Sequence, residues 1–320
     1  MPTYSISKRE FNAWKSVLKN DEKNWHSAHD KDKTVDFSYG YNTKRATIQP
    51  FTRTLGYFHD KLNFFKILNK CTNVDCVPVT YLSMDKFIKN RKNDNSLWFF
   101  KLSKYDCGSG VTPFFDEYES VKDVIKYKID NKSKKHKPKE YIVQKGVDDL
   151  MLYHGHKFDI RIHILITQYG DVYIYKNACM RISFKKFSEK CDCKKHQCTN
   201  GSLGAKCQYT DKWPDWSDVY PSVKASIKDI ILAMKPYIFK EQGKFLLIGA
   251  DFIIDKNKKA WVLEFNTYPN LYYKQDPDMQ PTITHMLKYM LRILSSPESS
   301  SKYVFSDDNY SWEYLMSFKQ

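Results

Sequence analysis

The stretch that most constrains this chain is residues 245–266, FLLIGADFIIDKNKKAWVLEFN. Two apolar runs, rich in Val, Ile, Leu, Phe and Trp, flank the polar turn Asp255-Lys256-Asn257-Lys258. That pattern predicts a β-hairpin in a sheet buried on at least one face. Three polar residues interrupt the runs: Asp251, Glu264 and Asn266. With an even-length loop at 255–258, Asp251 lies opposite Val262. Glu264 is then its diagonal neighbour on the same face, and Asn266 follows two residues on. Two carboxylates and an amide oxygen would converge on one patch. Carboxylates this close repel unless a cation lies between them. Oxygen ligands on few protein positions, with room left for phosphate, suit Mg²⁺. A different turn register would put Asp251 and Glu264 on opposite faces. The bland reading is two exposed strand-end acids and a turn Asn.

Length allows two or three domains with real cores in 320 residues. The formal net charge of +15 favours an acidic partner without choosing among nucleic acid, nucleotide, anionic membrane and acidic protein tail. The start, MPTYSISKREFNAW, lacks the apolar core of a signal peptide. No apolar run approaches membrane-spanning length, since Asp251 interrupts the best one. The expectation is a soluble, intracellular, cytoplasmic protein whose eight Cys are free thiols.

Leu55–Leu68 carries apolar residues at helical spacing (Phe58, Leu62, Phe65, Leu68), which leaves His59, Asp60 and Lys61 mostly on a solvated face. The turn-rich NRKNDNS is a candidate boundary near residue 93. LWFFK at 97–101 reads as a strand leading into a loop with Gly108 and Gly110, then a second strand. Such a loop suits a flap whose backbone N–H groups close over phosphates, although a hairpin turn explains it equally well. In KFDIRIHILIT, Phe158 and the isoleucines share one face, and Lys157, Asp159, Arg161 and His163 share the other. That polar face is either solvent-facing or the floor of an anionic-ligand cleft. Residues 185–217 hold Cys191, Cys193, His196, Cys198 and Cys207. A zinc site there is an open reading, with C-x-C spacing tighter than usual and no C-x-x-C pair. A long helix is expected over about 218–240, bent near Pro236, and a final one over about 282–294.

The order WFFK, glycine loop, YIVQK, KFDIRIHIL, MRISFKKF, CTN, GADF and WVLEFN resembles the tubulin–tyrosine ligase-like enzymes, an ATP-grasp family. HDKLNFFKIL and VPVTYLSMDKF resemble that family's earlier segments, and the match covers roughly 55–275. The resemblance implies an α/β (α+β) ATP-grasp fold, with the nucleotide between two antiparallel-sheet subdomains and a smaller N-terminal domain. The expected boundaries are 1–93, 94–147 and 148–320. It implies that Lys101 contacts phosphate, that Cys107, Gly108 and Gly110 form the flap, and that Gln144, Lys145, Gly146 and Val147 line the adenine pocket. Lys157, Phe158 and Asp159 would contact phosphate and ribose, and Thr199 and Asn200 would approach the nucleotide. Asp251, Glu264 and Asn266 would hold Mg²⁺. Arg161 and Arg181 would bind substrate carboxylates.

The implied activity is ATP- and Mg²⁺-dependent ligation of a free amino acid to a protein or acidic peptide, such as a tubulin tail, through an acylphosphate. No membrane or nucleic-acid partner is expected. Departures from the family pattern are Leu102 for Pro, Cys107 for the flap Arg, Gly146 for the hinge Tyr and Cys198 for Leu. The rival readings are another ATP-grasp activity on a small polyanion and a non-catalytic basic binding protein.

Overall fold

The hairpin forms, but in a different register from the expected one. Its strands run Lys244–Ile254 and Ala260–Thr267. Asp255 sets the turn: its Oδ1 accepts from the N–H groups of Asn257 (2.9 Å) and Lys259 (3.0 Å). Its backbone N–H donates to the Lys259 carbonyl at 3.1 Å. Lys258 takes the left-handed conformation, φ 63, as the last residue of a three-residue turn does. The turn is therefore odd in length, and Ile254 pairs with Ala260 and Phe252 with Val262. Left regular, that register would turn Glu264 away from Asp251. A β-bulge after Val262 adds one residue and restores the face, so that Asp251 and Glu264 become direct partners.

The structure, a computed structural model of the chain, describes residues 2–7, 11–19, 25–28, 34–39, 44–50, 55–103, 108, 110–117, 121–124, 140–199, 203–238, 243–271, 279–295, 305–307 and 310–318. In chain order the described strands are β1 (Thr3–Ile6), β2 (His26–Ser27), β3 (Thr34–Tyr39), β4 (Arg45–Pro50), β5 (Thr80–Tyr81), β6 (Leu97–Leu102), β7 (Val111–Phe115), β8 (Tyr141–Lys145), β9 (Leu152–Tyr153), β10 (His156–Ile166), β11 (Asp171–Lys186), β12 (Lys206–Tyr209), β13 (Lys244–Ile254), β14 (Ala260–Thr267), β15 (Phe305–Asp307) and β16 (Tyr310–Ser317). The helices used below are α1 (Phe11–Lys19), α2 (Leu55–His59), α3 (Lys61–Leu68), α4 (Met84–Asn90), α5 (Lys194–Gln197), α6 (Trp216–Met234) and α7 (Gln280–Ser295).

Among the described residues there are two sheets. The large one runs β15-β16-β11-β10-β13-β4-β3-β1-β2, with β12 on β11, β14 on β13 and β9 on β10. The small one, β5-β8-β6-β7, is antiparallel. The large sheet is antiparallel around β10, β11, β13 and β14. It becomes parallel where β4 meets β13 and continues so through β3, β1 and β2. The strands β1 to β4 thus extend the large sheet, while β5 belongs to the small one. The boundary read near residue 93 therefore does not separate the sheets.

The isoleucines of β10 pack with α3 and α6 in one core. The opposite face of the large sheet has two halves. Leu165, Tyr173, Tyr175, Phe245 and Leu247 pack under α1 and α7 with Trp14, Phe37 and Trp312. The other half carries Lys157, Asp159, Arg161 and His163, all buried, so the polar face of β10 is a floor and not a solvent face. Trp14, on α1, and Trp25, just before β2, are isolated in the sequence but buried in the core beneath the N-terminal strands.

The helix expected over 55–68 breaks at Asp60, which caps α3. Asp60 Oδ1 accepts from Asn63 N–H at 3.0 Å and from the Ser103 hydroxyl at 2.7 Å. Ser103 Oγ accepts from Leu62 N–H at 2.9 Å. This shared cap ties α3 to the end of β6, and Asp60 and Lys61 are buried, not solvated. The long helix expected over 218–240, α6, ends at Met234 and passes into a 3₁₀ turn at Lys235–Tyr237. Residues 121–124 are helical.

The join between β4 and β13 depends on Gly243. Its φ is +72, and an added Cβ would lie 1.8 Å from the Thr47 carbonyl oxygen. Gly243→Ala is expected to cost about 3 kcal/mol through strain and backbone displacement and to lower the thermal midpoint by several degrees. An unchanged midpoint in calorimetry would contradict this account of the junction.

Candidate active site

The floor of the site is a network of buried charges. Asp251 is held by two guanidinium groups: Arg161 donates through Nε and through NH2 (2.8 Å), and Arg181 NH2 lies 2.8 Å away. Arg181 Nε also pairs with Asp159 at 2.6 Å, and the Thr199 hydroxyl donates to the second oxygen of Asp159. The sheet register explains the grouping, because Arg161 is the cross-strand partner of Asp251 and Asp159 of Arg181. Gly249 makes room for it: a Cβ there would lie 2.8 Å from Arg161 Cδ and 2.8 Å from Pro269 Cβ. Burial pushes the Asp159 carboxyl up, and Arg181 and Thr199 pull it back only in part. Burial opposes the charge of Arg181, but Asp159 and Asp251 more than offset that and raise its pKa.

On the same patch Asn266 Nδ2 donates to Glu264 Oε1 at 2.9 Å and approaches Asp251 Oδ2 at 3.5 Å. Lys61, at the start of α3, pairs with Glu264 Oε2 at 2.9 Å. Burial alone would raise Glu264, but Lys61 and Asn266 hold it well below the usual carboxylate range.

The facing wall comes from the small sheet and the segment after α5. Lys101 Nζ donates to Gln144 Oε1 at 2.5 Å, and Lys157 Nζ to Gln197 Oε1 at 3.4 Å. Both ammonium groups lie near the Phe99 ring, at 5.7 and 4.8 Å. Burial lowers each to about 8. These groups bound a cleft between the sheets, about 800 Å³ when the space open to solvent at its mouth is counted.

Of the residues singled out by sequence, Lys101, Gly108, Gln144, Lys145, Gly146, Val147, Lys157, Asp159, Arg181, Thr199, Asp251 and Glu264 line this cleft. Arg161 and Asn266 reach it through Asp251 and Glu264. Gly110 is buried behind it, its carbonyl accepting from Leu102 N–H at 2.8 Å. Phe158 turns the other way, into the core against Trp213, so its side chain does not face the nucleotide position expected for it. Cys107 and Asn200 lie outside the described residues. The Gln144 side chain is engaged by Lys101 and Thr80 rather than left open towards a base.

Sequence reasoning missed Lys61, Phe99, Gln197 and Cys198 as cleft residues. For Lys61 a signal existed. It stands three, four and seven residues before Phe64, Phe65 and Leu68, which form the buried stripe of α3. Cys191, Cys193 and His196 are not drawn together with Cys198: His196 Nδ1 bonds the Lys186 carbonyl at 2.7 Å, and Cys198 lines the cleft. Among the described residues no group of three His, Cys, Asp or Glu side chains could hold a metal ion. Asp251, Glu264 and Asn266 supply two carboxylates and one amide. With the Asn266 amide turned over, so that its oxygen replaces the Nδ2 now facing the acids, such a set fits a small dication that takes its remaining ligands from phosphate.

A small antiparallel sheet set against a larger one, with lysines on both and paired acids on the larger, defines the ATP-grasp class. The chain belongs to the ATP-grasp family: the model described as YheC/D like ATP-grasp matches residues 54–294. It is also similar to the protein monoglycylase TTLL8 of Mus musculus, 24% identical over 205 residues, which is 55% of this chain and 24% of that protein. Tubulin monoglycylase TTLL3 of Mus musculus is 25% identical over 208 residues, 56% of this chain and 22% of that protein. The probable alpha-tubulin polyglutamylase Ttll1 of Tetrahymena thermophila is 24% identical over 231 residues, 62% and 55%. These names agree with the tubulin–tyrosine ligase-like resemblance read from the motifs. The chain spans about a quarter of the length of the first curated relatives it matches. Among the described residues no helix is long and apolar enough to cross a membrane.

An anion beside Lys101 and Lys157 restores their charged forms. Nucleotide binding just above pH 8 is therefore expected to take up protons, up to about one per lysine, and affinity should fall as pH rises through that value. Calorimetry in buffers of different ionisation heat reads the uptake directly. Heats independent of the buffer would contradict it.

Proposed function

We propose that the chain is an ATP- and Mg²⁺-dependent carboxylate–amine ligase of the tubulin–tyrosine ligase-like type. The observation that carries the reading is the cleft itself, where Lys61, Lys101, Lys157 and Arg181 face the acids Asp159, Asp251 and Glu264. Its cations outnumber its acids, so a polyanion complements it. The base of ATP would lie along Lys145, Gly146 and Val147, with the flap around Gly108. Lys101, from the small sheet, and Lys157, from the floor beside Asp159, would neutralise the phosphates. Asp251, Glu264 and Asn266 would hold Mg²⁺, whose chemistry is charge neutralisation on the transferred phosphoryl group.

An acceptor carboxylate then attacks the γ-phosphorus and ADP leaves, giving an acylphosphate. The unprotonated amine of an amino acid attacks the acyl carbon. Phosphate departs, the nitrogen loses a proton and an amide remains. Arg161 and Arg181 bring planar forks suited to carboxylates. Arg181 lines the cleft beside Asp251, where a substrate carboxylate would meet it, and Arg161 would support that patch through its bonds to Asp251. The relatives' names describe addition of glycine to proteins and polyglutamylation of α-tubulin. With the net charge of +15, this supports an acidic protein tail as acceptor and a free amino acid as donor.

The test is ADP release with Mg·ATP, a glutamate-rich peptide and each amino acid in turn. Release is expected to depend on one amino acid, with a matching mass gain on the peptide. Glu264→Gln should lose about a hundredfold or more in turnover. ADP release that needs no amino acid would favour phosphorylation of a small polyanion and overturn the ligase reading.

A further inference from the structure

A directional chain of hydrogen bonds crosses the small sheet. The Thr80 hydroxyl donates to the Pro78 carbonyl at 2.7 Å. Its single proton is thereby committed, so its oxygen is left to accept. It accepts from Gln144 Nε2 at 3.0 Å. That turns the amide nitrogen towards Thr80 and the amide oxygen towards Lys101 Nζ, 2.5 Å away. The register builds the line: Thr80 is the direct partner of Gln144 across β5 and β8, and Lys101 lies diagonally across β6. Thr80, Gln144 and Lys101 are all buried, so water is a poor substitute for any of these partners.

We propose that Thr80 is a positioning residue which, through the amide of Gln144, holds the Lys101 ammonium at the phosphate end of the cleft. This rests on the nucleotide reading above and deepens it. The physical step is the choice between the two faces of an amide. With the hydroxyl present, Gln144 offers Lys101 an oxygen. Without it, the amide is free to turn and set its NH₂ against an ammonium. Other charged or titratable groups around Lys101 are Lys61 on α3, Lys157 on β10, Asp251 and Glu264 on the hairpin and Cys198 after α5. Burial already depresses Lys101, so loss of an acceptor on its own sheet pushes it further towards the neutral form.

The experiment is an NMR titration of the Lys101 ε-ammonium in the full chain, assigned with Lys101→Arg, for wild type, Thr80→Ser and Thr80→Val. Mg·ATP affinity is measured across the same pH range. Wild type and Thr80→Ser should titrate near 8. Thr80→Val should titrate about one unit lower and bind Mg·ATP about tenfold more weakly above the midpoint. Gln144→Glu adds a second arm, since a carboxylate presents oxygen in either orientation. In that background Thr80→Val should cost nothing further. Thr80→Ala replaces the valine variant if the latter does not fold. An unchanged titration and affinity in Thr80→Val, or an equal loss in the Gln144→Glu background, would overturn the relay. Failure of wild type to bind Mg·ATP would count against the function proposed above and leave the titration to decide the relay.

Discussion

The site depends on one interaction, the clasp of Asp251 by Arg161 and Arg181. A carboxylate this deep is tolerated only when paired, and here the pairing joins three strands. Arg161 comes from β10, Arg181 from β11 and Asp251 from β13, so the charges lock the centre of the large sheet. Removing either guanidinium would leave a buried acid short of a partner, a costlier change than losing an exposed pair. Asp159 and Glu264 extend the network to Thr199 and Lys61, which brings the segment after α5 and the start of α3 to the same patch. Lys101 and Lys157 stand outside it. Their nearest bonded partners are neutral amides, and that leaves positive charge for a ligand to match.

Position in the fold explains why these groups gather here. The same face of β10 that carries Lys157, Asp159 and Arg161 becomes apolar at Leu165, where α1 and α7 cover it. The apolar half anchors the N-terminal strands and the C-terminal helix. The polar half is left to the small sheet, which meets it across the cleft. The cap shared by Asp60 and Ser103 ties that sheet to α3. Lys61 and Lys101, on opposite sides of the tie, are thereby set at a fixed separation.

Much of this was legible in the sequence, for physical reasons. Period-two alternation in KFDIRIHIL marks one apolar and one charged face whatever surrounds it. The acids of the hairpin stand out because the runs that hold them are apolar. The bulge could not be read: it compensates an odd turn set by Asp255, and both features arise from hydrogen bonds that no hydropathy pattern carries. Lys61 was misplaced because a charged residue at a helix start usually faces water, and only a partner far along the chain, Glu264, reverses that preference. The strands before residue 50 are not legible because each is short and their parallel pairing carries no hairpin-turn signal. The role of Gln144 depends on amide orientation, which only its neighbours fix.

The most direct measurement is a crystal structure with Mg²⁺ and a non-hydrolysable ATP analogue. The account predicts the phosphates between Lys101 and Lys157, with the ion on Asp251, Glu264 and Asn266 and the base along Lys145 to Val147. A nucleotide bound elsewhere, or one bound in the cleft with the ion remote from Asp251 and Glu264, would contradict it.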